Sequence, residues 1–282
     1  MTSTTIKSVL QNAQTKLAEI PDSPALDAEL LLAFCLDKSR SYLFTWPDNV
    51  INEAQLTRFN TLIEKRLTDY PVAYLLGKKA FWTLDLLVTP DVLIPRPETE
   101  LLVEIALQKI SDIKAPKILD LGTGSGAIAL ALASERPDAR ITACDFSNKA
   151  LEIAKTNADK NGLETQVIFI ESDWFSNINE TDFDLIVSNP PYIDPDDPHL
   201  NQTIRHEPQQ ALVADNAGMK DIETIIQNSK DHLKKGCWLM IEHGYDQKTQ
   251  TLELFEQFGY EEALNYQDIG QNPRLSIAKQ PI

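Results

Sequence analysis

From Pro97 onward the chain alternates between two periodicities, and this alternation constrains its fold more than any other feature. Short apolar runs, KILDLG, RITACD, QVIFIESD and FDLIVSN, are separated by stretches with helical spacing. A further run, GCWLMIEHG, follows the helix-like MKDIETIIQNSKDHLKK. Strands alternating with helices predict a mainly parallel sheet with right-handed crossovers. The last two runs, EEALNYQD and RLSIAKQ, flank the turn IGQNPR and predict an antiparallel pair at one edge. The expected class is therefore α/β, a Rossmann-like domain with an antiparallel edge pair.

The first seventy residues read differently. Val9, Leu10, Ala13 and Leu17 recur at helical spacing, as do Leu26, Leu30, Leu31 and Phe34, and then Leu56, Phe59, Leu62, Ile63 and Leu67. Pro21, Pro24, Pro47 and Pro71 punctuate the breaks. A small helical bundle is predicted there. Between the two parts, YLLGKKAFWTLDLLVTPDVLIP carries β-branched and aromatic residues around Gly77, the pattern of a β-hairpin. The expected organisation is a helical docking domain over 1–73, a linking hairpin over 74–95 and the α/β domain over 96–282.

Charge narrows the function classes. Residues 1–80 carry nine basic and nine acidic side chains, so the whole formal charge of −16 falls on residues 81–282. Such a surface repels polyanions, which bind proteins through cationic contacts to phosphate. No direct nucleic-acid partner is expected. No run approaches the roughly 18 apolar residues of a membrane span, and the N-terminal MTSTTIKSVLQNAQTK lacks the apolar core of a secretory signal. Cys35, Cys144 and Cys237 lie far apart without ligand spacing, as expected in a reducing cytosol. No metal site is expected, and no Ser/His/Asp or Cys/His arrangement stands out. A cytoplasmic location follows as an expectation.

The chemistry concentrates at the ends of the predicted strands. After KILDL comes Gly122-Thr123-Gly124-Ser125-Gly126, opening the helix AIALALASE. Glycines there permit a tight turn and let a ligand approach the backbone at a helix N-terminus. The spacing GxGxG, with Asp120 before it, differs from the dinucleotide pattern GxGxxG. Asp145 ends the second strand, where an acid can accept hydrogen bonds from both ribose hydroxyls. Asp173 ends the third, followed by Trp174, a pair suited to an adenine amino group and an adenine face. An acid at one strand end can simply cap the next helix; three around one switch point indicate a nucleoside. A phosphate-binding lysine is missing, which disfavours a triphosphate.

The fourth strand ends in Ser188-Asn189-Pro190-Pro191-Tyr192. Two prolines fix the backbone and remove two N–H donors, leaving carbonyls free to accept. Asn189 adds a side-chain acceptor. Two acceptors and the Tyr192 ring suit an NH2 group conjugated to a planar system. Holding both hydrogens localises a lone pair that delocalisation otherwise makes a poor nucleophile.

NPPY beside GxGxG resembles the pattern of S-adenosylmethionine-dependent amino-methyltransferases. Ile94-Pro-Arg-Pro-Glu-Thr-Glu100, Ser188-Asn-Pro-Pro-Tyr-Ile193, Glu207-Pro208 with Ala211-Leu212, and Ile241-Glu-His-Gly244 resemble more specifically the PrmC/HemK-type peptide chain release factor N5-glutamine methyltransferases. The likeness extends over essentially the whole chain. It implies that S-adenosyl-L-methionine is the cofactor, contacted by Gly122, Thr123, Gly124, Ser125, Gly126, Asp145, Trp174 and Asn189, and Asp173 joins them on the reading above. It implies that Asn189, Pro190, Pro191 and Tyr192 hold a glutamine side chain, with Asn189, Pro190 and Tyr192 acting in catalysis. The implied partners are class 1 release factors, methylated at the glutamine of their GGQ tripeptide. Arg96, Glu98 and Glu207 either approach the site or only brace it. Two rivals remain: an N6-adenine or N2-guanine methyltransferase on nucleic acid, and a nucleoside-binding adaptor without catalysis.

Overall fold

The computed structural model describes residues 4–20, 23–201 and 203–282. They divide into two compact units, one of residues 1–77 with 201–206 and one of 78–200 with 207–282.

The first unit is helical: α1 (Ile6–Lys16), α2 (Pro24–Leu36), α3 (Arg40–Thr45), α4 (Glu53–Arg66) and α5 (Val72–Leu76). Thr5 with Ser8 and Asn52 with Gln55 form capping boxes at the starts of α1 and α4, satisfying backbone donors that a helix start leaves unpaired. The predicted stripes meet in one core containing Val9, Leu17, Leu31, Phe59 and Ile63. Arg66 is buried there and paired with Asp27 at 2.7 Å. Gly77, at φ +68°, ends α5.

The second unit opens with an antiparallel hairpin, β1 (Lys78–Phe81) and β2 (Leu84–Leu87). Phe81, Leu84 and Leu86 enter the main core. The buried Asn157 pins the hairpin to the glycine loop: its Oδ1 accepts from the Leu87 N–H at 2.6 Å, and its Nδ2 donates to the Leu87 and Ser125 carbonyls.

The remaining strands, β3 (Lys117–Leu121), β4 (Arg140–Asp145), β5 (Val167–Glu171), β6 (Phe183–Ser188), β7 (Leu233–Glu242), β8 (Glu261–Gln267) and β9 (Pro273–Lys279), form one sheet in the order β5-β4-β3-β6-β7-β9-β8. The first five are parallel, while β9 runs antiparallel to β7 and β8 to β9. Helices α6 (Glu100–Lys109), α7 (Ala127–Glu135), α8 (Asn148–Lys160), α9 (Lys220–Asn228) and α10 (Lys248–Gln257) complete the unit. The two apolar clusters divide the strand residues between them: Ile118 belongs to one and Leu119 to the other, Val187 to one and Ile186 to the other. Every residue of β6 is buried, which is why these strands read as unbroken apolar runs. The strand order reverses between β3 and β6, so a crevice opens at their carboxyl ends.

Candidate active site

The glycine loop leaves β3 at that reversal. The Gly122 and Thr123 N–H groups donate to the Cys144 carbonyl at the end of β4, each at 2.9 Å. Gly126 begins α7 at φ +84°, and a side-chain carbon there would stand 3.1 Å from Leu130 Cδ1 and 3.3 Å from Ala154 Cβ. Both the backbone angle and the space therefore call for glycine.

Two carboxylates flank the loop. Asp120 is fully buried; its Oδ2 accepts from the Thr123 hydroxyl at 2.6 Å and the Ala129 N–H at 3.2 Å. Its Oδ1 has no partner among the described residues, and burial pushes the carboxyl up to about 7. Asp145 accepts from the Gly124 and Ser147 N–H groups, both at 2.8 Å. Burial raises its pKa as well, and the two backbone donors offset part of the rise.

These groups border a cavity of about 340 Å³, within the range of small-ligand sites. Of the residues singled out in the sequence, Gly122, Gly124, Asp145, Asp173, Trp174, Asn189 and Pro191 lie on its wall. Thr123 and Ser125 are buried behind the loop, where Thr123 holds Asp120. Pro190 is buried and Tyr192 packs against the second apolar cluster. Asp173 stands two residues beyond the end of β5 at Glu171.

Sequence reasoning missed several members. Phe146, exposed beside Asp145, and Asp221 of α9 also line the cavity. The Asp221 carboxyl lies beside the Trp174 side chain, which offsets part of the rise that burial gives its pKa; Trp174 itself is held at φ +47°. No local pattern announces Asp221; it reaches Trp174 only through the packing of α9.

The NPPY backbone is clamped. Gln247 Nε2 donates to the Tyr192 carbonyl at 2.9 Å and to the Ala217 carbonyl at 3.2 Å, while its Oε1 accepts from the Gly244 N–H at 2.8 Å. Gly218, at φ +78°, comes so close that a side-chain carbon would lie 2.0 Å from the Tyr192 oxygen. The Asn189 side chain points its Nδ2 at Thr99 Oγ1, 3.2 Å away. Burial raises the Tyr192 pKa, so its hydroxyl stays protonated.

Arg96 and Glu207 form an ion pair, and the other Glu207 oxygen accepts from the Ile94 N–H at 3.0 Å. A buried glutamate thus ties the IPRPETE segment to the Glu207-Pro208 element. The imidazole of His243 is fully buried between the Gly244 carbonyl and the Ser276 hydroxyl, both at 2.8 Å. Among the described residues no cluster of His, Cys, Asp and Glu could hold a metal ion, and no helix is long and apolar enough to cross a membrane.

This architecture has known relatives. Residues 97–268 match the methyltransferase small domain, and residues 8–77 match the PrmC N-terminal domain. The chain is 46% identical over 280 residues to the release factor glutamine methyltransferase of Aliivibrio fischeri, covering 98% of each protein. It is 43% identical over 274 residues to the protein of that name from Coxiella burnetii, covering 97% of this chain and 98% of the relative. A methyltransferase structure from Pyrococcus furiosus shares the fold at TM-score 0.55 and 18% identity, covering 79% of this chain and all of that one.

Proposed function

The chain belongs to the release factor glutamine methyltransferases, and from that membership we propose how its own residues carry the reaction. It transfers a methyl group from S-adenosyl-L-methionine to a glutamine side-chain amide of release factors, at N5 of the GGQ glutamine in the class 1 factors. One observation carries the assignment of roles. Asn189, the amide-holding residue of NPPY, stands on the same cavity wall as Asp145 and Trp174.

The cavity fits the cofactor. The Asp145 carboxylate has acceptor capacity beyond its two backbone partners for ribose hydroxyls. The unpartnered Asp120 oxygen suits a cationic amino group, which would draw that raised carboxyl back to its charged form. Bound S-adenosylmethionine supplies a methyl group already activated by a sulfonium. The protein's task is then positioning and electrostatics. Asn189 Oδ1 takes one hydrogen of the substrate amide and the Pro190 carbonyl takes the other, while Tyr192 packs beside them. The nitrogen lone pair is thereby turned toward the methyl group.

Asp145→Ala removes the ribose acceptor. A hydrogen bond to a charged group contributes roughly 1.5–3 kcal/mol, so the cofactor dissociation constant is expected to rise about 10- to 150-fold. Calorimetry on the folded variant checks this; unchanged affinity would take Asp145 out of the site.

The nucleic-acid rival uses the same NPPY chemistry but needs a cationic docking surface, and residues 81–282 carry the whole charge of −16. Tritiated S-adenosylmethionine, offered with unmodified class 1 release factor or with ribosomal RNA, separates the two. Label is expected in the release factor, and replacing its GGQ glutamine should abolish it. Label in the RNA alone would reverse the assignment.

A further inference from the structure

A carboxamide holds a substrate NH2 only if its carbonyl edge faces that group, and the two edges of Asn189 differ little in shape. Something behind the residue must choose between them. Glu242, the last residue of β7, is only 1% exposed. The side chains of Thr99 and Asn189 stand close enough to its carboxyl to favour the charged form, and its Oε2 has no hydrogen-bond partner among the described residues. Thr99 is 4% exposed and accepts from Asn189 Nδ2 at 3.2 Å. The three side chains come from three separate segments: the Pro97–Thr99 turn, the end of β6 and the end of β7.

We propose that Glu242 is a positioning residue for methyl transfer, fixing the direction of hydrogen bonding through Thr99 so that Asn189 presents its carbonyl edge to the substrate amide. This rests on the amide-methylating reading of the site.

Donor and acceptor counts set the direction of these hydrogen bonds. An ionised carboxylate can only accept. A Thr99 hydroxyl that turns its single hydrogen toward Glu242 keeps its lone pairs for Asn189. Asn189 must then turn its NH2 inward, toward Thr99 and Glu242, and its Oδ1 outward. The opposite rotamer would set an acceptor against the carboxylate and two N–H donors against the substrate's own donors. Burial amplifies this preference, because a mispaired polar group cut off from bulk solvent is costly.

Protonation of Glu242 removes the bias, because a carboxylic acid can donate. Burial pushes this carboxyl up to about 7, with Glu98 adding to the rise and Arg274 of β9 opposing it. The other titratable neighbours keep one form near neutrality: Tyr192 stays protonated, and burial lowers the pKa of His243. Arg96, near Tyr192, is paired with Glu207. The active form is the carboxylate, so turnover falls as pH falls through about 7. Asp120 titrates in the same range, so the profile is measured at saturating cofactor and compared between variants.

The test uses the full chain, tritiated S-adenosylmethionine and unmodified release factor. Glu242→Gln keeps the shape but introduces a donor. It is expected to lower kcat about 10²-fold, to leave cofactor affinity and melting temperature unchanged, and to lose the acid limb of the pH profile. Glu242→Asp is a poorer match in shape but still only accepts, and it is expected to retain more activity than Glu242→Gln. A packing role predicts the reverse order. Thr99→Val interrupts the relay without touching Glu242 and is expected to lower kcat similarly, which keeps the idea open to refutation if Glu242 variants unfold. Wild-type kcat in Glu242→Gln or in folded Thr99→Val would overturn the proposal, as would Glu242→Gln outperforming Glu242→Asp. A wild-type chain that labels no release factor would overturn the underlying assignment, and this inference with it.

Discussion

Asn189→Ala is expected to lower turnover on release factor by about 10²–10³-fold or more, the usual cost of losing positioning and an electrostatic contact at the reacting group. Cofactor affinity should change far less, because Asp145, Trp174 and the glycine loop remain. On the proposed roles the side-chain oxygen holds one amide hydrogen; without it the substrate amide rotates and the in-line approach to the methyl group is lost. Asn189→Asp is the sharper variant. Its carboxylate still accepts, yet it cannot donate to Thr99, which receives the Asn189 Nδ2 hydrogen at 3.2 Å. It also stands beside the buried Glu242. Two carboxyl groups in that space raise one another's pKa, and a negative charge replaces the neutral carbonyl near a cationic sulfonium. Retained or tighter cofactor binding with strongly reduced methylation is the expected combination. Single-turnover rates at saturating cofactor, with affinity measured separately by calorimetry, decide it. Wild-type-like methylation by Asn189→Ala would show that the amide is held elsewhere and that NPPY is only a turn.

The physics of burial explains which parts of this arrangement can be read from the chain. Strands of a doubly covered parallel sheet must be apolar on both faces, so ILDL, ITAC and DLIVS announce themselves. The glycine loop is legible because its geometry is local: the turn, the helix start and the following acid lie within thirty residues. Boundaries are less legible. Asp173 reads as the end of a strand, but β5 stops at Glu171 and Ser172 begins a turn, its hydroxyl donating to the Trp174 carbonyl at 2.8 Å. The apolar Tyr74-Leu75-Leu76 looks like the start of a hairpin, yet it completes α5, and Gly77 breaks the helix before β1 begins.

Partnerships between distant segments leave no local trace at all. Thr99 and Glu242 sit inside the stretches IPRPETE and IEHG, which mark the family resemblance, but no spacing rule connects them to Asn189. Their relation appears only when β6 and β7 lie side by side, with Ser188 opposite Ile241. Gln247 is similar: an unremarkable polar residue at the start of α10 that fixes the carbonyl of Tyr192. Site residues that touch ligand tend to be chemically conspicuous. Residues that aim them are conspicuous only in three dimensions.

Removing residues 1–77 is expected to cost at least about 10²-fold in kcat/KM on intact release factor, roughly 2.7 kcal/mol of recognition, while cofactor affinity is retained. The helical unit has its own core around Phe59 and Ile63, and its buried charge is neutralised internally by Arg66 with Asp27. It carries no candidate chemistry. Its surface nevertheless exposes Phe44, Trp46 and Val50, large apolar side chains of the kind that mark protein contacts when they cluster. We propose that it docks the protein substrate. Binding energy from a remote surface is realised at the reacting centre only when the substrate spans both, and this gives the control. A short peptide containing only the GGQ tripeptide lacks the rest of the factor that the helical unit would dock, so the truncated and full-length chains should methylate it at equal rates. The ratio of the two substrates therefore isolates docking from any general damage caused by truncation. Arg205, which donates to the Thr68 carbonyl at 2.8 Å, loses that partner in the truncated chain. A loss that arose from this local disturbance would appear with the peptide as well as the intact factor. Undiminished activity of the folded truncation on intact release factor would remove the helical unit from recognition and place all specificity in the α/β domain.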